Sequence, residues 1–87
     1  NGGGGVTASI NVGNKTVDFG HGGRHLAGSN LSVSQVNSAI ANDVVNRPPT
    51  NGIVGHGTVT VDGVEIFYDY FTRSDSLINV GTYYIVN

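Results

Sequence analysis

The sequence contains no cysteine. The chain therefore has no disulfide and no thiolate nucleophile, and zinc sites built on cysteine are excluded. A cysteine-free composition fits a protein that works in a reducing compartment.

Basic residues and long apolar runs are also scarce. The chain has only four lysines and arginines and a net charge of −2, whereas a typical nucleic-acid binder presents a basic face. Any binding of nucleic acid must therefore depend on a few well-placed cations. No stretch approaches the roughly 20 apolar residues of a membrane span, so we expect none. The N-terminus lacks the basic-then-apolar order of a signal peptide, which favours a fragment or mature domain.

The length of 87 residues leaves room for one hydrophobic core. Residues 1–5 are rich in glycine and are predicted to be a flexible linker, followed by a single domain over residues 6–87. Val6–Val12 and Lys15–Phe19 predict two short strands around the turn Gly13-Asn14. Gly20–Asn30 reads as a loop or an irregular turn of helix.

A helix is the clearest predicted element. Ser32 is a natural N-cap, and Gln35 completes a capping-box pattern. The pattern ends near Asn46, since Pro48-Pro49 cannot continue a helix. The helix should cover a sheet with the apolar residues that recur at helical spacing, Val33, Val36, Ile40 and Val44, and expose Ser34, Asn37, Ser38 and Asn42.

A three-stranded meander follows, over Val54–Val61, Val64–Phe71 and Leu77–Val86. Asp62-Gly63 is a strong two-residue hairpin signal, and Arg73–Ser76 forms the second turn. Alternation groups Val59, Val61, Val64 and Ile66 on one face, with His56, Thr58, Thr60, Glu65, Phe67 and Asp69 on the other. On the last strand it groups Ile78, Val80, Thr82 and Tyr84 against Leu77, Asn79, Tyr83 and Ile85. The predicted fold class is α+β: short N-terminal strands and one main helix packed on an antiparallel sheet with a C-terminal three-stranded meander.

The densest cluster of reactive side chains is the segment Gly20–His25, which holds His21, Arg24 and His25. Histidine transfers protons near neutral pH, arginine holds a phosphate, and glycines let backbone N–H groups approach an anion. Phosphoryl transfer needs a base, an acid and a fixed cation, and these side chains can supply all three. The alternative is a solvent-facing loop. A metal held by His21, His25 and His56 is a weaker alternative, and a P-loop is disfavoured because its Lys-Ser/Thr ending is missing.

Other candidates lie on the predicted strands. His56 stands between two glycines and is either a functional residue or an edge-strand histidine without a role. Thr82 or a neighbouring tyrosine hydroxyl could hydrogen-bond a phosphate, although packing and β-propensity also explain such residues. Glu65 would be the obvious carboxylate base, but Glu65 and Asp69 are expected to be solvated strand residues.

Three segments together resemble a known family. The stretch Phe19–Leu26, the helix ending near Asn42-Asp43, and the closing Ile78–Tyr84 are similar to C-terminal toxin domains of CdiA-type contact-dependent growth inhibition proteins. The resemblance is to the CdiA C-terminal tRNase group, within the barnase/EndoU/colicin/RelE-like ribonucleases. It extends from about Val17 to the end of the chain.

The resemblance implies a helix on an antiparallel sheet, with an active cleft on the exposed sheet face. It implies a metal-independent ribonuclease without a cofactor, in which the 2′-hydroxyl of RNA, with tRNA the expected substrate, attacks the adjacent phosphate. His21 or His25 would be the base or the acid, Arg24 would stabilise charge, and His56 is a candidate for the second proton transfer. Thr82 and Tyr84 would place the phosphate.

The resemblance also implies partners and a location. Such a domain is secreted or delivered at the cell surface as part of a larger protein and acts in the target-cell cytoplasm. A cognate immunity protein neutralises it at home, and whether a host protein factor is needed stays open. Two alternatives remain: a non-catalytic binding module of a large secreted adhesin, and a toxin that acts on DNA or a nucleotide cofactor.

Overall fold

The computed structural model describes residues 8–20, 26 and 29–86. They form one helix and a five-stranded sheet, so the predicted α+β class is confirmed. In chain order the elements are β1 (Ala8–Val12), β2 (Lys15–Phe19), α1 (Val33–Val44), β3 (Gly55–Val61), β4 (Val64–Ser74) and β5 (Leu77–Ile85).

The strands lie in the order β1-β2-β5-β4-β3. The meander β3-β4-β5 is antiparallel as predicted, and β1 pairs antiparallel with β2. β2 and β5 pair in parallel, from Thr16 opposite Leu77 to Phe19 opposite Val80. The sheet is therefore mixed, with a single parallel pair among mostly antiparallel ones. After β2 the chain crosses through α1 to the far edge, and the meander brings it back to the centre.

The hairpin between β3 and β4 follows from its two turn residues. Asp62 and Gly63 both have positive φ, 51° and 79°, as the tight turn that suits twisted antiparallel strands requires. Val61 pairs with Val64 directly beside this turn. The predicted two-residue hairpin is confirmed.

The helix begins as its capping sequence predicts. The backbone N–H of Gln35 donates to Ser32 Oγ at 3.0 Å, and the Gln35 side chain accepts from the Ser32 backbone N–H at 3.4 Å. Val36, Ile40 and Val44 are fully buried against the sheet. Val33 differs from the prediction: it is the first helical residue, and 44 % of it is exposed.

The core lies between α1 and one sheet face. Every strand except β1 contributes fully buried or nearly buried apolar side chains. The largest fully buried side chains are Tyr68, Tyr83, Phe19 and Ile66 of the sheet and Ile40 of α1. Among the described residues, no helix is long and apolar enough to cross a membrane.

Asn37 was predicted to lie on the exposed polar face of the helix, and this prediction is wrong. It is only 5 % exposed, and its Oδ1 accepts a hydrogen bond from the buried Tyr83 hydroxyl at 2.8 Å. Helical periodicity predicted Asn37 to be exposed because it assigns polar residues to the solvent side. Asn37 is buried instead because the buried Tyr83 hydroxyl needs a hydrogen-bond partner.

We expect Asn37→Ala to lower the free energy of unfolding by about 1–3 kcal/mol, because it leaves the Tyr83 hydroxyl buried without a partner. Urea unfolding measures this loss. Ser34→Ala, at an exposed position of the same helix, is the control and should change stability by less than about 0.5 kcal/mol. Equal losses in the two variants would show that the Asn37–Tyr83 bond contributes nothing.

Candidate active site

The sheet face opposite α1 carries no covering element among the described residues, and we call it the open face. Ile66, Tyr68 and Tyr70 of β4 are buried in the core. Because strand residues alternate, Phe67 and its neighbours project to the other side. The predicted faces of β3 and β4 are confirmed, and the open face of these strands carries His56, Thr58, Thr60, Glu65, Phe67 and Asp69.

A β-bulge determines which residues of β5 reach the open face. Tyr68 pairs with Tyr83 and Tyr70 with Val80, so Gly81 and Thr82 together oppose Asp69 alone. The extra residue shifts the alternation, and Val80 and Tyr83 therefore both point into the core. The predicted grouping of β5 was consequently wrong. Ile78, Val80, Tyr83 and Ile85 face the helix, whereas Asn79, Thr82 and Tyr84 lie on the open face.

Asp69 holds this bulge in place. Its Oδ1 accepts the backbone N–H of Thr82 at 3.1 Å. A Cβ at position 81 would lie 2.7 Å from the same oxygen, so only glycine lets the carboxylate come this close. Asp69 is half-buried and fixes the backbone that carries Thr82, rather than being a freely solvated strand residue. A glycine inside a strand is the sequence signal that points to such a bulge.

Three aromatic rings form a row across the open face. The His56 ring is stacked on Phe67, with centroids 5.4 Å apart and planes at 28°. On the other side of Phe67, the Tyr84 ring lies 5.1 Å away at 34°. Phe67 pairs directly with Tyr84 across β4 and β5. We call these three residues the aromatic row, and about 43 % of Tyr84 is exposed.

Three of the six predicted site residues thus meet on one face. His56 and Tyr84 flank Phe67, and Thr82 is anchored to Asp69, the cross-strand partner of His56. Phe67 and Asp69, which join them, were not predicted as site residues. Neither carries a chemical motif, so only strand register reveals that they lie at the centre of the cluster.

His21, Arg24 and His25 lie outside the described residues. The residues on either side of them are described. The Gly20 backbone N–H donates to Val80 O at 3.0 Å, beside the bulge. Leu26, at the other end, is buried in the core. Gly20, the last described residue before this segment, therefore lies next to Val80 and Gly81.

Charge on the open face is mostly negative. Asp18 of β2 lies opposite Asn79, and its carboxylate accepts a hydrogen bond from Ser9 Oγ at 2.5 Å. Glu65 is exposed and makes no side-chain hydrogen bond or ion pair within the described residues. Asp69 is the carboxylate directly opposite His56, whereas Asp18 and Glu65 lie at other positions of the same face.

Arg47 is engaged in a structural cluster on the helix side of the sheet. Its Nε lies 2.8 Å from both Asp43 Oδ2 and the Tyr68 hydroxyl, and its Nη2 donates to Thr58 O at 3.3 Å. The hydrogen bond to Asp43 is the main cause that raises the pKa of Arg47. A Cβ at Gly57 would lie 2.5 Å from Arg47 Nε and 2.7 Å from Tyr68 Cζ, so a larger residue there would displace this cluster. Arg47 is therefore a structural residue, while Lys15 and Arg73 have no ion pair in the described part of the chain.

The two most buried tyrosines make stability depend on pH in the alkaline range. Burial raises the pKa of Tyr83, and burial together with the Asp43 carboxylate raises the pKa of Tyr68. In the unfolded chain tyrosine ionises near pH ~10, whereas in the folded chain the neutral form persists to higher pH. Their contribution to stability is therefore fully present below pH ~10 and is lost as pH rises towards the raised folded pKa.

We accordingly expect the free energy of unfolding to fall as pH rises above about 10. Urea unfolding between pH 8 and 12 measures this slope, and Tyr68→Phe and Tyr83→Phe should each reduce it. A slope that is the same in wild type and both variants would contradict the assignment to these hydroxyls.

A cavity of about 250 Å³ lies elsewhere, near the C-terminal end of α1. Its lining includes Lys15, Arg47, Tyr70 and Asp75, but no residue of the predicted site. The described residues contain no group of three or more potential metal-ligating side chains.

No family model matches the chain, and searches of curated proteins and of solved structures find no match to it. The function is therefore proposed from the residues and from the geometry of the open face.

Proposed function

We propose that this chain is a ribonuclease toxin domain that cleaves RNA, with tRNA the expected substrate, on the open face of its sheet. The observation that carries the proposal is that His56 and Tyr84 flank Phe67, and Thr82 is bonded to Asp69 opposite His56, on a face that the helix leaves uncovered. His56, Thr82 and Tyr84 come from β3 and β5, which flank β4 in the sheet. A helix on one sheet face and an uncovered opposite face also agree with the arrangement that the resemblance to CdiA-type toxins implies.

The proposed reaction is an internal phosphoryl transfer. The 2′-oxygen of RNA attacks the adjacent phosphorus while the bond from phosphorus to the 5′-oxygen breaks. A base takes the proton of the 2′-hydroxyl, and an acid gives a proton to the leaving 5′-oxygen. The products are a 2′,3′-cyclic phosphate and a 5′-hydroxyl, so the reaction consumes no water and needs no redox partner.

His56 is proposed for one of the two proton transfers, since its imidazole is exposed on the open face. The other falls to His21 or His25, with Arg24 stabilising charge on the phosphorane. Support for this assignment comes from Gly20, the residue before His21, whose backbone N–H donates to Val80 O beside the bulge. The hydroxyls of Thr82 and Tyr84 would donate hydrogen bonds to the phosphate oxygens.

Partners and location belong to the same proposal. The domain would reach the target-cell cytoplasm as part of a larger secreted or surface-delivered protein. A cognate immunity protein would cover the open face at home, and binding would stabilise this small domain by mass action. A host protein factor is a further proposed partner, because the described open face offers few cations for RNA.

The test is incubation of the purified domain with total bacterial RNA, with and without EDTA, resolved on a denaturing gel. We expect discrete tRNA-sized fragments in both lanes. The fragment upstream of each cut should end in a 2′,3′-cyclic phosphate, and the downstream fragment should begin with a 5′-hydroxyl. Cleavage that EDTA abolishes would indicate a metal-dependent nuclease instead. RNA that stays intact in every lane, including lanes with added cell extract, would favour the binding module of an adhesin.

A further inference from the structure

We infer that the aromatic row His56–Phe67–Tyr84 is a stacking platform for an unpaired nucleobase, so that the domain engages its RNA in a single-stranded segment. The inference rests on the proposed function for its biological meaning, but binding can be measured without cleavage. The ligand of the platform belongs to one chemical class: a nucleobase that is not paired in a helix.

The geometry of the row supports stacking. The three rings are spaced 5.4 and 5.1 Å apart, and adjacent planes differ by 28° and 34°. At these distances and angles the rings stack on one another across β3, β4 and β5, so the faces of Phe67 are turned towards its two neighbours. The row ends at the outer faces of His56 and Tyr84, onto which a further ring can stack. Exposed aromatic side chains on a sheet are a surface on which unpaired bases stack, whereas paired bases inside a duplex cannot reach them.

The rings are held in place by the sheet from below. Phe67 lies between the buried Ile66 and Tyr68 on a central strand. Tyr84 follows the buried Tyr83, whose hydroxyl is bonded to Asn37. A platform whose strands are fixed in this way loses little conformational entropy when a base stacks on it.

The surrounding charge indicates which part of the nucleotide meets the row. Glu65 and Asp69 flank Phe67 along β4, and both are carboxylates that repel phosphate. The sugar-phosphate backbone is therefore disfavoured beside these carboxylates on β4, and the uncharged base is favoured there. The phosphate would lie over β5, at the hydroxyls of Thr82 and Tyr84. Binding should consequently show a shallow dependence on salt, because few phosphates are neutralised.

The experiment uses 2′-O-methyl oligoadenylate of eight nucleotides, which cannot be cleaved because its attacking hydroxyl is blocked. Fluorescence anisotropy compares this single strand, its duplex with the complementary strand, and an octamer with the same backbone but without bases. We expect the single strand to bind more tightly than the duplex and the abasic strand.

Phe67→Leu and Tyr84→Leu keep an apolar side chain but remove the ring. Each should weaken binding of the single strand about 5- to 150-fold, the range that stacking of one base supports. Phe67→Leu should alter neither binding of the abasic strand nor the slope against salt. Tyr84→Leu also removes the hydroxyl proposed to bind the phosphate, so its loss is compared with that of Tyr84→Phe, which keeps the ring. Ser34→Ala, on the exposed side of α1, is the control and should bind like wild type. Because Tyr84 is already partly exposed, its variant remains informative if Phe67→Leu proves less stable.

Three results would overturn the inference. Abasic or duplex RNA could bind as tightly as the single strand, or Phe67→Leu could weaken binding of the abasic strand as much as binding of the single strand. The third is that both ring variants bind the single strand like wild type. RNA cleavage combined with any of these would leave the ribonuclease proposal standing without the platform. Base-dependent binding without cleavage in the gel assay would establish the platform and remove the ribonuclease.

Discussion

Replacing His56 with alanine is expected to lower the rate of RNA cleavage by about 10²–10⁴-fold, the usual contribution of a positioned proton-transfer group. The imidazole is exposed and stacked on Phe67, so the variant should fold. Its free energy of unfolding should change by less than about 0.5 kcal/mol, as for other exposed substitutions. A gel-based cleavage rate and a urea melt on the same preparation separate the two effects.

The pH profile of cleavage adds a readout that a structural role would not change. If His56 transfers a proton, one limb of the wild-type profile should disappear in His56→Ala. Ser34→Ala should retain the full rate and the full profile. A folded His56→Ala with wild-type activity would remove His56 from the mechanism.

The corresponding variants His21→Ala and His25→Ala test the other half of the proposal. At least one of them should abolish cleavage in a chain that still folds. Full activity in both, in a folded protein, would show that the Gly20–His25 segment has no catalytic role.

Replacing Tyr68 with alanine is expected to lower the free energy of unfolding by about 3–5 kcal/mol. Tyr68 is completely buried, and its hydroxyl donates to Asp43 Oδ2 at 2.6 Å while it accepts from Arg47 Nε at 2.8 Å. The substitution therefore removes a large core side chain and the centre of a polar cluster. A domain of this length has a stability of only about 4–13 kcal/mol, so the loss is a large fraction of the total.

Tyr68→Phe separates the two contributions. It keeps the ring and removes the hydroxyl, so we expect a smaller loss of about 1–3 kcal/mol from Asp43 and Arg47 left without this partner. Tyr84→Phe removes a hydroxyl that makes no hydrogen bond within the described residues, and it should cost less than about 0.5 kcal/mol. Urea unfolding measures all three variants. Equal losses in Tyr68→Phe and Tyr84→Phe would show that the polar cluster does not stabilise the fold.

Local sequence signals determined the secondary structure. The helix begins where Ser32 and Gln35 predict, because a capping box involves only neighbouring residues. The β3–β4 hairpin forms at Asp62-Gly63, because positive φ at these positions is a property of the turn itself. The faces of β3 and β4 followed from the same turn, since it sets the register of both strands.

Long-range contacts determined what the sequence could not. The parallel pairing of β2 with β5 joins segments about 60 residues apart, and no local pattern specifies such a partner. The burial of Asn37 depends on the hydroxyl of Tyr83, which lies 46 residues away in the sequence. Alternation failed on β5 because the bulge at Gly81 and Thr82 needs the Asp69 carboxylate of another strand.

The candidate site likewise has features that the sequence shows and features that only the tertiary structure shows. From the sequence alone, His56, Thr82 and Tyr84 could be selected by residue type and by resemblance. That they lie around Phe67 depends on the pairing of three strands and on the bulge that turns Tyr84 away from the core. Side-chain chemistry is a property of single residues, but a site requires several residues at fixed distances, and here the sheet register sets those distances.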